Sequence, residues 1–354
     1  MTIAYLFDTF PSLTETFLAR EVTALREAGL QIEIFALQAG EGAHAVEMPS
    51  AALKLGGKAR FWRATGEKLG AQLRSRGITH LHATWANHVA DIASVAAQSA
   101  GLTWSFAAHS RDLWVEGGDL AAKLATAKFA AACTRIGETE LLKHGENVLY
   151  APHGLPLRDY PFQPWKRGGE TRVLGVGRLV EKKGWLDLVA AAGICERTRQ
   201  RGAGYRFEIV GDGPVRGLIE KQAAGFGLQS SVITHGALPH DEVIALMQEC
   251  NCFVLPSRRA ADGDRDGLAN VLLEAGALGL PLITSDTEGA REFADASTAL
   301  LFPPGDSMAL AGAINHMRAA SDETIARTLA ARARVERSFT IEKNVEVLAR
   351  AFAD

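Results

Sequence analysis

Two stretches in the second half of the chain carry residues suited to holding a phosphorylated ligand. The first is Gly175-Val-Gly-Arg-Leu-Val-Glu-Lys-Lys-Gly184, directly after an apolar run. Glycines let backbone approach a ligand closely. Arg178 and one lysine, Lys182 or Lys183, project from the same strand-to-helix loop. Two cations beside a helix N-terminus make a diphosphate site. A dinucleotide fingerprint would need a glycine at the sixth position of G-x-G-x-x-G, and Val180 stands there. The second stretch is Asp266-Gly-Leu-Ala-Asn-Val-Leu-Leu-Glu274. Acids eight residues apart sit about 800° around a helix, roughly 80° apart on the wheel. They converge only if Asp266 lies in the loop and Glu274 on the first turns of a helix starting near Gly267. That helix N-terminus would face an anion, leaving Asp266 and Glu274 for sugar hydroxyls.

Other polar clusters are weaker. Asp262-Gly-Asp264-Arg-Asp266-Gly267 matches the first half of a calcium loop, but the twelfth position, normally Glu, is Leu273. His80 and His82 alternate on a strand and His88 follows, yet no cysteine or acid completes a metal set. Cys250 and Cys252 lack the C-x-x-C spacing of redox motifs and read as buried packing. His109 is a loop histidine whose residue type alone does not separate packing from function. Asp241 and Glu242 read as the start of a helix. Residues 54–76 hold seven cations (Lys54, Lys58, Arg60, Arg63, Lys68, Arg74 and Arg76) and one acid, with Phe61 and Trp62 among them. A basic segment with aromatics suits an anionic membrane surface or a lipid-diphosphate acceptor.

The elements that must position these groups alternate strand and helix. Thr2–Phe7 reads as a buried strand. A loop over 8–13 follows, with Ser12 and Glu15 spaced as a capping box. A helix then carries Phe17, Leu18, Val22 and Leu25 and stops at Gly29, before a strand over Gln31–Leu37. Such a β-α-β unit implies a parallel sheet. Further strands are expected at 79–82, 104–107, 131–134 and 148–151. Pro161, Pro164, Gly168 and Gly169 mark a linker. A second series follows, with strands at 171–176, 205–210, 231–235, 252–255, 280–284 and 299–302. Helices such as 185–200 and 241–249 fill its gaps. The expected architecture is two doubly wound α/β halves, residues 1–163 and 164–338, facing a cleft, with an amphipathic tail helix over 339–354.

The whole composition agrees with this class. The chain has 354 residues, 47% hydrophobic and 22% charged, enough for two cores and incompatible with a mainly disordered chain. The net charge of −3 gives no global basic field for nucleic acid. Four cysteines are too few for a disulfide framework and suit a reducing compartment. The N-terminus lacks a basic region and a cleavage site, and the longest uncharged stretch, 92–108, is interrupted by polar residues. A cytoplasmic protein is expected, able to touch the inner membrane face without crossing it.

The motifs resemble those of the retaining GT-B glycosyltransferases of family 4. The likeness is carried by Gly177-Arg178, Lys183-Gly184, Gly211-Asp212-Gly213, Asp266 through Glu274 with Ala275–Pro281, and Leu301-Phe302-Pro303-Pro304-Gly305-Asp306. Phe10–Phe17 and Ala108-His109-Ser110-Arg111-Asp112 resemble an exopolysaccharide branch of that family. The resemblance spans nearly the whole chain. It implies a donor diphosphate held by Arg178 and Lys183, with Gly177 and Gly211 at close approach. It implies backbone N–H groups of Asn270, Val271 and Leu272 facing the phosphates, and Glu274 on the ribose. Asp266 falls near the donor sugar, where the family usually has Glu, one methylene longer. His109 falls near the transferred sugar. A C-terminal helix crosses back onto the first domain.

The implied reaction transfers a sugar from a nucleotide sugar, UDP-linked first and GDP-mannose next, to a lipid-linked saccharide, polysaccharide or glycolipid. Lys58, Arg60, Phe61, Trp62 and Arg63 are candidates for acceptor or membrane. The leaving diphosphate gathers charge that fixed cations and helix dipoles can stabilise, so no metal and no cofactor are expected. Two other readings stand beside this one. A nicotinamide-dependent oxidoreductase would use two Rossmann-like halves, but Asp8-Thr9-Phe10-Pro11 replaces a glycine fingerprint after the first strand. A non-catalytic sugar-nucleotide- or polysaccharide-binding module would keep the fold; the retained Arg178, Lys183 and Glu274 argue against it, and Asp266 in place of Glu keeps it open.

Overall fold

Strand β1 (Thr2–Phe10) buries Ile3 through Phe7 without a break, the pattern of a parallel strand covered on both faces. In this computed structural model, which describes residues 1–12, 15–50, 53, 57–165, 169–198, 204–319 and 321–354, the chain forms two units. The first comprises 1–154 and 341–354, the second 155–340.

In the first unit, β1 is followed by α1 (Thr16–Glu27), β2 (Gln31–Ala39), β3 (His44–Ala45), α2 (Lys58–Ser75) and β4 (His80–Ala83). Then come α3 (His88–Ala100), β5 (Thr103–Ala108), α4 (Arg111–Trp114), α5 (Leu120–Thr126), β6 (Phe129–Ala132), α6 (Arg135–Leu141) and β7 (Val148–Tyr150). All pairings are parallel, in the order β3-β2-β1-β4-β5-β6-β7. Side chains of β1 alternate: Ala4 and Leu6 join a core with α2 and α3. Ile3, Tyr5 and Phe7 face the other way, onto Leu18, Val22 and Leu25 of α1. Ile341, Val345, Leu348 and Phe352 of the closing helix (Ile341–Ala353) complete that second layer. Asn344 donates to the Pro152 carbonyl at 2.9 Å, and Lys128 to that of Phe352 at 2.9 Å, so polar bonds also tie this helix to the unit.

The second unit runs β8 (Thr171–Val176), α7 (Trp185–Thr198), β9 (Tyr205–Val210), α8 (Arg216–Gly225), β10 (Val232–Gly236), α9 (His240–Glu249) and β11 (Cys252–Leu255). It continues through α10 (Asn270–Leu278), β12 (Leu282–Ser285), α11 (Glu288–Arg291), β13 (Ala299–Phe302), α12 (Ser307–Ala319) and α13 (Ser321–Ser338). Its parallel sheet has the order β10-β9-β8-β11-β12-β13. The order reverses between β8 and β11. In such sheets the ligand crevice opens beyond the carboxyl ends of the strands flanking the reversal.

Some boundaries differ from expectation, each for a local reason. The units divide at Gly154 and Leu155 rather than at 163–164, because Leu155 and Tyr160 are buried in the second unit's core. Strand β1 continues to Phe10, beyond the expected loop start at Asp8. The position capping α1 is Glu15, whose own side chain makes no capping bond, and the Glu15 N–H donates to the Ser12 carbonyl at 3.4 Å. Leu13 and Thr14 lie outside the described residues, as do Lys54, Gly168 and Gln200. β6 ends at Ala132 because Thr134 is taken as the cap of α6, accepting from the Gly137 N–H at 3.0 Å.

Candidate functional site

The loops after β8 and β11 meet at the switch point of the second unit. The first turns sharply through Gly177 and Gly184. At Gly184, φ is +64° and an added Cβ would lie 1.9 Å from the Pro256 carbonyl oxygen, so only glycine lets the loops touch. At Gly211, φ is +140° and a Cβ would lie 2.0 Å from the Gly177 oxygen. The two strand ends are thereby pressed together, and Leu179 N–H donates to Asp212 O at 2.8 Å. Arg178 is exposed at the tip, while its carbonyl accepts from the Trp185 indole N–H at 2.9 Å.

The two lysines of the loop part company. Lys182, 2% exposed, reaches Asp264 at 2.9 Å. Lys183 is half-buried and meets Asp266 Oδ2 at 2.8 Å, and Ser257 Oγ donates to the same oxygen at 2.5 Å. Lys182 Nζ stands 3.6 Å from the other Asp266 oxygen. Burial alone would raise the Asp266 carboxyl. Lys183, then Lys182, then the Lys183 and Ser257 hydrogen bonds outweigh it, and the group is held below its ordinary value. It is a fixed negative charge beside the Lys183 ammonium. The calcium-like spacing of Asp262, Asp264 and Asp266 is thus spent on lysines and on an Asx turn to the Asp264 N–H.

Glu274 sits one turn into α10, which starts at Asn270 rather than near Gly267. Its carboxylate is 3% exposed and accepts from the Tyr160 hydroxyl at 3.2 Å, and Tyr160 Oη lies 3.0 Å from His240 Nε2. Asp266 and Glu274 therefore belong to two different hydrogen-bonded groups. Ala269, at the cap of α10, offers no side-chain oxygen to the first-turn N–H groups. The Leu272 N–H is already donated to Ala269 O at 2.9 Å, so it is unavailable to a phosphate. Leu272 therefore drops out of the three N–H groups expected to face the phosphates.

His109 belongs to the first unit, just past β5. Asp112, 2% exposed, accepts from three backbone N–H groups, those of Ala86, His109 and Ser110, at 2.8–3.2 Å. That clamp fixes the loop. The His109 Nε2–H must donate to the Thr84 carbonyl at 3.0 Å, since a carbonyl only accepts. Nδ1 is then a bare acceptor, filled by His153 Nε2–H at 3.0 Å. Phe17 stacks on His153 with ring centres 4.2 Å apart, and Trp85 meets His109 edge-on at 4.7 Å. Burial lowers the His109 pKa, against Asp112 and the Thr84 bond, so the ring is neutral. His153 and Cys133 add to the expected set. Ligand atoms of His109, Cys133 and His153 lie within 4.8 Å of one another. They could ligate an ion only by giving up the bond between the two rings.

The family model for glycosyl transferases group 1 matches residues 158–334, half of the chain. The chain belongs to the group 1 glycosyl transferases. The glycosyltransferase is 26% identical to the putative colanic acid biosynthesis glycosyltransferase WcaL of Salmonella typhimurium, over 96% of both chains. It is 35% identical to the amylovoran biosynthesis glycosyltransferase AmsK of Erwinia amylovora, over 52% of this chain and 44% of that one. The Anabaena protein HepE, solved with UDP, superposes with a TM-score of 0.79 at 17% identity, covering 100% of both chains. Sucrose-phosphate synthase of Thermosynechococcus elongatus gives 0.81 at 21%, over 100% of this chain and 98% of that one. The fold of the transferase is GT-B. Family membership removes the oxidoreductase reading.

Other expectations for the transferase change with the structure. Phe61 is 3% exposed and meets Trp62 edge-on at 5.1 Å, and Trp62 lies against the core of α2 and α3, stacked on His88 at 4.9 Å. Phe61 is therefore not offered to a membrane or acceptor, while Trp62 is half-buried. Helical spacing turned them inward and left Lys58, Arg60 and Arg63 exposed, with Arg63 3.8 Å from Glu67. His80 and His82 share the Ser105 hydroxyl at 2.8 and 2.7 Å, inside the core, while His88 turns to Asp8. Burial lowers the His80 pKa to about 3. The Cys250 thiol is pushed up to about 12 by burial, and Cys252 likewise rises, so both are inert packing. Among the described residues, no helix is long and apolar enough to cross a membrane.

Proposed function

We propose that the protein is a retaining glycosyltransferase that moves a sugar from a nucleotide sugar to a lipid-linked saccharide, polysaccharide or glycolipid of exopolysaccharide assembly. A UDP-sugar is the favoured donor and GDP-mannose the next. The observation that carries the reading is the pairing of exposed Arg178 with Lys183, held against Asp266 at 2.8 Å, at the switch point of the second unit. Support also comes from HepE, whose structure contains UDP, and from the relatives named for colanic acid and amylovoran biosynthesis.

In this reading the leaving diphosphate meets Arg178 and Lys183, and close backbone approach is allowed by Gly177 and Gly211. The N–H groups of Asn270 and Val271 add the positive end of α10. Charge developing on the leaving oxygen is stabilised by these fixed groups, each worth on the order of 3 kcal/mol in the transition state. With two cations in place, no metal is required. Glu274 accepts from ribose hydroxyls and Asp266 meets the donor sugar. The family resemblance assigns His109 to the transferred sugar, and with both its ring nitrogens engaged within the first unit it would act through the clamped loop. Attack by the acceptor hydroxyl comes from the face the diphosphate leaves, and a diphosphate oxygen takes the proton.

The test is transfer from UDP-glucose, UDP-galactose, UDP-N-acetylglucosamine and GDP-mannose to lipid-linked oligosaccharides in EDTA, with the anomeric centre of the product read by NMR. Product with the donor's configuration supports the proposal. Inversion, or a strict need for added metal, refutes it. Nucleotide binding without any product favours the non-catalytic module.

A further inference from the structure

We propose that Tyr160 and His240 are positioning residues for the ribose of the nucleotide, acting through Glu274. This rests on the reading above in which Glu274 meets the ribose. The proton arithmetic sets the direction of the chain. A carboxylate only accepts, so the single proton of the Tyr160 hydroxyl points at Glu274 Oε1, 3.2 Å away. His240 Nε2, 3.0 Å from the same hydroxyl, must then be the donor. The relay runs His240 to Tyr160 to Glu274, with each proton committed.

The partner type matters as much as the direction. Tyr160 is a neutral donor. It donates to the carboxylate of a residue that is 3% exposed. Ligand hydroxyls are donors, whose hydrogen bonds a carboxylate oxygen can accept. The phenol is itself held by the backbone rather than by the bond it makes. Tyr160 N–H donates to Leu157 O at 3.1 Å, and its carbonyl accepts from Arg332 at 2.7 Å. The same Arg332 nitrogen donates to Ala277 O of α10 at 2.8 Å, which ties the tyrosine to the helix carrying Glu274. Removing only the hydroxyl therefore leaves ring and backbone in place.

The test measures calorimetric affinities of the intact protein for UDP and GDP and for their 2′-deoxy and 3′-deoxy forms. Wild type is expected to prefer the ribose forms. Tyr160→Phe is expected to lose about five- to tenfold of that preference, by weakening the ribonucleotides while leaving the deoxy forms unchanged. His240→Gln, which keeps a side-chain N–H donor, should stay near wild type, and His240→Leu should follow Tyr160→Phe. The inference is overturned if Tyr160→Phe keeps the full preference, or weakens all forms equally as a merely structural residue would. Glu274→Ala separates the two failures. If it abolishes the preference while Tyr160→Phe does not, only the relay is wrong. If it keeps the preference, Glu274 is not at the ribose and both readings fall.

Discussion

Replacing Asp266 with Asn removes one charge from the centre of the donor loops, and the structure gives the size of the effect. Lys182 keeps Asp264 at 2.9 Å, so the group left without its counter-charge is Lys183, previously 2.8 Å from Asp266. Breaking a buried pair costs about 3–5 kcal/mol, and partial exposure of Lys183 places this case at the lower end, about 3 kcal/mol. For a unit of this size each kcal/mol is worth roughly 2–4 °C, so Asp266→Asn should melt about 6–12 °C below wild type at pH 7. The sign with pH follows from the depressed carboxyl. Its contribution is present above the ordinary value of 3.8 and is lost as pH falls through the lower folded value, so the deficit must shrink in acid. The same variant should bind UDP more tightly, because Lys183 is released and a nearby negative charge is gone, while transfer slows. Differential scanning fluorimetry from pH 3 to 8, with and without UDP, reads all of this. A variant melting within 1 °C of wild type, or a deficit independent of pH, would refute the argument.

Three further outcomes follow from other parts of the molecule. Burial lifts the Glu21 carboxyl from 4.5 to about 7, against its bonds to Tyr5 and Asn344. Its contribution to stability is full below pH 4.5 and is lost as pH rises towards 7, a swing of roughly 3 kcal/mol at 1.36 kcal/mol per unit. Glu21→Gln should flatten that loss when urea unfolding is compared at pH 5 and pH 8, and an unchanged slope would count against it. Gly184→Ala forces a Cβ to 1.9 Å from a backbone oxygen at positive φ, so it should cost about 3 kcal/mol or more and lower the yield of folded protein. Changing Lys58, Arg60 and Arg63 together to Glu should abolish co-sedimentation with phosphatidylglycerol vesicles if this face touches a membrane, and retained binding would end that proposal.

Much of the α/β order was legible because each strand is a short apolar run beside a helix of regular period. Strand β3 escaped, since two residues, His44 and Ala45, carry no period. In the site, Arg178, one lysine at 182 or 183, Asp266 and Glu274 stood out by type and local spacing, and only the family resemblance pointed to Lys183. Spacing alone left the choice between Lys182 and Lys183 open, because it depends on which loop across the switch point supplies the acid. Leu272 looked like a phosphate N–H donor until the helix was seen to start at Asn270 and claim that group. Tyr160 sat in a stretch read as a linker, and its partners lie 80 and 114 residues away, beyond any sequence period. His153 was missed for the same reason, being 44 residues from His109. The inward turn of Phe61 was implicit in its spacing to Leu69 and Leu73, but the surrounding cations masked it.

The most direct test of the central claim is a thermal-shift panel in EDTA with UDP, GDP, ADP, dTDP and NAD⁺, on wild type and Lys183→Ala. Ligand at about 100 times its Kd should add roughly 2.7 kcal/mol of stability. The account predicts that one nucleoside diphosphate stabilises wild type and that Lys183→Ala loses the shift. Equal stabilisation of both proteins by that nucleotide would contradict it.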